Sequence, residues 1–272
     1  MGEINKRAAE IARKVAYAAM KAQPGREIVV AGSMGPTGEL FQPMGPLTEQ
    51  DAIDAFAEQA AALKEGGVDV LWIETMYSRE EVSAAVAGAA TTGLPFVTTM
   101  SFDTNGKTMM GISPADFVAF VHTLDPKPVA YGANCGVGAS DLVATIVKLA
   151  EAAAPDDIII AKGNCGIPYY EEGKIRYNGT PELMADYARI VRDAGARIVG
   201  GCCGTSPGHL HSIRGALDAH EPGAKPNAAE IIARLGPISE GAQALLAGTD
   251  IAAGAPKRSR RRDRGGAEES AF

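Results

Sequence analysis

Four cysteines carry the clearest chemical signal in this 272-residue chain, and each stands beside or within a cluster of glycines. Cys135 lies in Gly132-Ala133-Asn134-Cys135-Gly136, and Cys165 lies in Gly163-Asn164-Cys165-Gly166. Cys202 and Cys203 are adjacent in Gly200-Gly201-Cys202-Cys203-Gly204-Thr205. Neighbouring cysteines rarely bridge each other, because the geometry is strained. Four cysteines are also too few for a disulfide scaffold in a chain of this length. Flanking glycines let the backbone bring thiolates together around something small. Three sulfurs with one open position describe a catalytic zinc site, whereas a structural site wants a fourth protein ligand. A buried cysteine can also serve as a small hydrophobe. Spacing alone admits any three of the four, or all four.

Glu74 is the next candidate. It ends the apolar run Val68-Asp69-Val70-Leu71-Trp72-Ile73-Glu74, where a carboxylate is costly unless paired. Trp72 has the same parity and so faces the same side, where core packing is its expected role. Residues 32–38 read as a tight loop at a strand end. His209 and His211 fit no shared ligand face and are expected to be solvated. Met109-Met110 and Tyr169-Tyr170 are expected to be packing residues.

These groups need a scaffold, and the apolar rhythm supplies one. Short β-branched runs predict strands at 27–31, 69–74, 95–102, 128–134, 157–162 and 197–201. Helical patterns fall between them, at 4–21, 48–65, 79–91, 114–122, 140–153, 181–193 and 207–219. Ser113-Pro114 and Thr180-Pro181 put a capping hydroxyl before a first-turn proline. Strands alternating with helices predict an α/β fold with parallel βα units, covered on both faces. Cys135, Cys202 and Cys203 then fall at the C-terminal ends of strands, the edge where such folds build their sites. Gly32-Ser33-Met34-Gly35-Pro36 is not a dinucleotide fingerprint, which favours a barrel over an open nucleotide-binding sheet. Residues 228–234 read as one last helix.

Charge narrows the function classes. There are 26 basic and 33 acidic residues, a net charge of −7. Residues 256–272 hold six basic and three acidic side chains (+3), so the remainder carries −10. An acidic globule argues against nucleic acid as its partner. No apolar run approaches the roughly 20 residues of a membrane span. Residues 1–21 lack the apolar core of a secretory signal, so a cytoplasmic location is expected.

Residues 132–136, 162–168, 178–187 and 200–205 together resemble the homocysteine S-methyltransferase family. Residues 67–75, 99–111 and 179–187 look most like its bacterial betaine–homocysteine S-methyltransferase branch. The resemblance spans residues 4–214. It implies a parallel (βα)8 TIM-type barrel and zinc held by Cys135, Cys202 and Cys203. Cys165 falls where the family usually has a small residue such as alanine. Glu74 is implied to hold the substrate amino group, and an aromatic such as Trp72 would suit a quaternary ammonium donor. The implied reaction is methyl transfer to homocysteine, giving methionine, with betaine as donor. S-methylmethionine or a folate or corrinoid carrier is the alternative donor, and a non-catalytic zinc-binding remnant is the alternative class.

The family's opening Asp-Gly-Ala-x-Gly-Thr strand and its Thr-Asn-Thr-Phe strand end have no counterpart here. A barrel lacking its first two strands is therefore expected, with two unpaired edges that favour self-association into a homo-oligomer. Residues 1–221 would form this barrel, 222–246 a helical extension, and 247–272 a disordered basic tail.

Overall fold

The computed structural model describes residues 2–249. The expected basic tail lies almost wholly outside them. Six strands form one sheet: β1 (Ala31–Met34), β2 (Val70–Met76), β3 (Phe96–Met100), β4 (Ala130–Cys135), β5 (Ile159–Gly163) and β8 (Ile198–Gly201). Their order is β1-β2-β3-β4-β5-β8, and every neighbouring pair is parallel. The helices between them are α2 (Glu49–Glu65), α3 (Arg79–Ala90), α4 (Pro114–Val121), α5 (Ala139–Ala152) and α6 (Pro181–Asp193). α1 (Gly2–Ala22) precedes the sheet and α7 (Pro207–Asp218) follows it.

Alternation along the strands divides two apolar layers. Leu71, Ile73, Tyr131, Ala133, Ile159 and Ala161 point to the helices and join the main core. Val97, Ala130 and Ile160, flanked by Val70, Trp72 and Ile198, form a small separate cluster on the other face. That face is concave. Lys162 on β5 reaches Glu74 on β2, although a flat sheet would hold those strands about 14 Å apart, three strand spacings. The result is a curled half-barrel of six parallel strands. Among the described residues the sheet does not close, and β1 and β8 are its edges. A cleft of about 980 Å³ lies between them, lined by Ile28, Val29, Val199 and Arg214 among others.

Several expectations need correction. The first strand begins at Ala31, so residues 32–34 of the expected loop are strand. The cause is Asp69, whose carboxylate takes the Val30 N–H (2.7 Å) in place of a ladder carbonyl. An antiparallel hairpin, β6 (Pro168–Glu171) and β7 (Lys174–Tyr177), interrupts the βα rhythm after β5. Its two-residue turn, Glu172-Gly173, has φ values of 49° and 78°, the left-handed geometry that matches strand twist. Tyr169 and Tyr170 on this hairpin are exposed rather than packed, as are Met109 and Met110.

α8 (Ala228–Leu235) matches the last expected helix, and α9 (Glu240–Ala247) follows it as a second helix. Both lie against α5, which is buried along most of its length. Ser140 Oγ donates to the Pro237 carbonyl (2.9 Å), and the Ser239 N–H donates to Asp141 (2.9 Å). Among the described residues no helix is long and apolar enough to cross a membrane.

Candidate metal centre

The sulfurs of Cys135, Cys202 and Cys203 all lie within 4.8 Å of one another at the C-terminal edge of the sheet. Strand parity delivers only part of this arrangement. On β8, Ile198 and Gly200 face inward, and Cys202 continues that series. On β4, Ala130, Gly132 and Asn134 face inward, so an extended Cys135 would point to the helices. A left-handed backbone at Cys135, φ 62°, turns it back. Such a conformation costs a non-glycine residue on the order of 1 kcal/mol and persists only when its surroundings enforce it.

Two asparagines do the enforcing. Asn134 is fully buried and spends its whole amide. Its Oδ1 accepts from the Thr75 N–H (2.8 Å) and from Thr99 Oγ1 (2.6 Å). Its Nδ2 donates to Thr75 Oγ1 (2.7 Å) and, more weakly, to Cys202 Sγ (3.7 Å). Asn164 does the same work one strand along. Its Nδ2 donates to the Gly136 carbonyl (2.8 Å) and to Cys135 Sγ (3.6 Å), while its Oδ1 accepts the Cys203 N–H (3.1 Å). Amide N–H groups aimed at sulfur favour thiolate over thiol. Gly204, at φ 77°, lets the loop beyond Cys203 pack on the Tyr177 ring of the hairpin, where a side chain would collide.

Without a metal the cluster shares protons unevenly. A hydrogen bond from Cys135, helped by Asn134 and the positive charge of Lys162, holds the Cys202 thiol well below its ordinary range. Cys135, the donor in that bond and partly buried, is pushed up correspondingly. The donor set suits zinc. Three thiolates at about 2.3 Å from a tetrahedral ion stand about 3.8 Å apart, within the spread seen here, and leave the fourth position free.

Cys165 lies outside the cluster. It obeys strand parity, is 1% exposed and sits in the main core. Its thiol donates to the Gly179 carbonyl (3.3 Å), and its sulfur lies 3.2 Å from His209 Nε2. His209 is therefore not a solvated histidine. Its Nδ1 accepts the Ser206 N–H (3.0 Å), capping α7, which leaves the neutral ring's proton on Nε2, towards Cys165. His211 is exposed, as expected.

Glu74 is paired rather than stranded. Its Oε2 meets Lys162 Nζ at 2.5 Å, and its Oε1 accepts from Ser33 Oγ at 2.6 Å. Thr75, held by Asn134, has φ 65° and sits within a register shift of β2, so the same asparagine sets the strand end that carries Glu74. Trp72 packs in the small inner cluster, and Lys162 Nζ lies 4.9 Å from its ring centre. A cavity of about 390 Å³ opens nearby, lined by Phe41, Met44, Tyr77, Glu80, Met109 and Met110 among others. Burial raises the Tyr77 phenol pKa, with the charge of Asp103 adding to it.

Asn134, Asn164, Thr75 and Lys162 were not singled out from sequence. The signals present were the repeated Asn-Cys-Gly and the shared parity of Ile160, Lys162 and Asn164.

Comparison with known proteins bears on descent and fold. The profile of the family described as homocysteine S-methyltransferase matches residues 1–217. Among solved structures, the chain is similar to the apo form of the homocysteine methyltransferase MmuM from Escherichia coli. Identity is 22% and the TM-score 0.65, covering 79% of this chain and 73% of that one. The metallated form of the same protein gives 23%, 0.62, 79% and 70%. At such identities the structural likeness speaks for the fold, and the profile speaks for descent. With residues 1–217 of 272 matched, the chain belongs to the homocysteine S-methyltransferase family.

Proposed function

We propose that this chain transfers a methyl group to the thiol of homocysteine, forming methionine, at a zinc ion held by Cys135, Cys202 and Cys203. The observation that carries this reading is the meeting of three thiols from two strand ends beside the Glu74 carboxylate. Zinc bound there would supply a Lewis acid whose free position lowers the pKa of an incoming thiol. The remaining work belongs to the chain. Asn134 and Asn164 orient the ligating sulfurs, and Glu74 receives the substrate ammonium. The thiol is thereby held in line with the methyl carbon, an orientation effect that needs no general base.

The donor in this reading is betaine, whose N–CH3 bond breaks as the S–CH3 bond forms, leaving dimethylglycine, while the proton of the substrate thiol is lost to solvent. In its support, the cavity of about 390 Å³ suits a small onium compound far better than a folate or corrinoid, and Tyr77, Phe41 and Glu80 line it. Trp72, with Lys162 over its ring, belongs in this reading to the inner packing cluster and not to the donor site. The six strands belong, in this reading, to an eight-stranded barrel whose open sector is the cleft between β1 and β8.

The test is methionine formation by the zinc-loaded chain, with homocysteine and either betaine, S-methylmethionine or a methylated folate. Betaine should support turnover, and Cys202→Ala should abolish it. A chain that binds zinc but yields no methionine from any donor would instead be a zinc-binding remnant.

A further inference from the structure

We propose that Lys162 takes the α-carboxylate of the thiol substrate, so that the Glu74–Lys162 pair opens to receive both ends of an amino acid zwitterion. This rests on the reading of the site as a homocysteine site and names how the substrate's head is recognised.

Glu74 and Lys162 come from β2 and β5 and meet over the concave face, with side chains 18% and 24% exposed. Both are inward by parity, on the same edge as the thiol cluster. An ion pair in this setting is a poor stabiliser, because desolvation offsets much of its attraction. As a receptor for a zwitterion it is well matched. An α-ammonium and an α-carboxylate are two bonds apart, and each can replace the partner that the other residue gives up. The exchange leaves neither protein charge unpaired.

The hydrogen-bond inventory points the same way. Both Glu74 oxygens are engaged, one by Ser33 and one by Lys162. The donors beside them are in surplus. Lysine carries three N–H groups, and the only acceptor among its contacts with the described residues is Glu74. A site with spare donors and a filled acceptor is completed by a ligand that brings an anion. Lys162 stands near the strand end that faces the thiol cluster, so a head group held by Lys162 keeps its own thiol near the cluster.

Binding to the zinc-loaded chain without any methyl donor tests this, using homocysteine, 3-aminopropane-1-thiol (no carboxylate) and 4-mercaptobutanoate (no amine) in calorimetry. Wild type should prefer homocysteine to the carboxylate-free thiol by roughly 30-fold, the scale of one charge-assisted hydrogen bond. Lys162→Met should erase that preference while zinc content stays the same, and Lys162→Arg should restore most of it. Glu74→Gln frees Lys162 without altering it, so it should lose the preference for the amine and keep that for the carboxylate. Lys162→Met retaining the wild-type ratio would overturn the assignment while leaving the homocysteine reading intact. So would a defect seen only when donor is added, which would place Lys162 on the donor instead. Wild type binding none of the three thiols would overturn the homocysteine reading itself, and this assignment with it.

Discussion

The turns Asn134-Cys135-Gly136 and Asn164-Cys165-Gly166 are the same tripeptide at the ends of adjacent parallel strands, yet their cysteines go to opposite places. In register, Cys135 pairs with Gly163, so the second motif starts one residue beyond the end of its strand. Both asparagines face inward, and in both motifs parity would send the cysteine outward. The first cysteine is pulled back by a left-handed backbone and joins the thiol cluster. The second follows parity into the helical layer, where His209 and the Gly179 carbonyl receive it. Which cysteine joins the thiol cluster is thus a backbone decision, enforced by two amides, and the side-chain sequence alone does not encode it.

The largest expected difference between the two turns is in metal binding. Cys135→Ala should reduce zinc content from one equivalent to near zero after dialysis and abolish methyl transfer, whereas Cys165→Ala should retain the full equivalent. A smaller difference is expected between the asparagines. Asn134→Ala leaves a fully buried network unsatisfied and releases Thr75 from its left-handed conformation, so a loss of about 3 kcal/mol is expected in denaturant unfolding of the metal-free chain. Asn164→Ala removes fewer buried partners and should cost about half as much. Smallest is the outer turn's own packing. Cys165→Ala and His209→Ala should each cost about 1 kcal/mol, and the double variant less than their sum, because the two side chains are in contact.

Much of this was legible in the residues. The parallel α/β sheet followed from six apolar runs alternating with capped helices, and the strand-end placement of Cys135 and Cys202 followed from those runs. The choice between Cys135 and Cys165 was not legible from spacing, since both motifs read identically and only a positive φ separates them. It came instead from the resemblance to a family with a small residue at the second position. The hairpin after β5 was hidden because its strands are short and exposed, with no buried face to impose alternation. The pairing of Glu74 with Lys162 was hidden for a different reason: it spans three strand spacings and exists only because the sheet curls.

X-ray absorption at the zinc edge counts the sulfur ligands, comparing the zinc-loaded wild-type chain with Cys165→Ala. Three sulfur neighbours at about 2.3 Å are expected in both proteins, with the remaining position filled by a lighter atom. Four sulfurs in wild type falling to three in Cys165→Ala would mean that both turns ligate the metal, and would contradict the three-sulfur site.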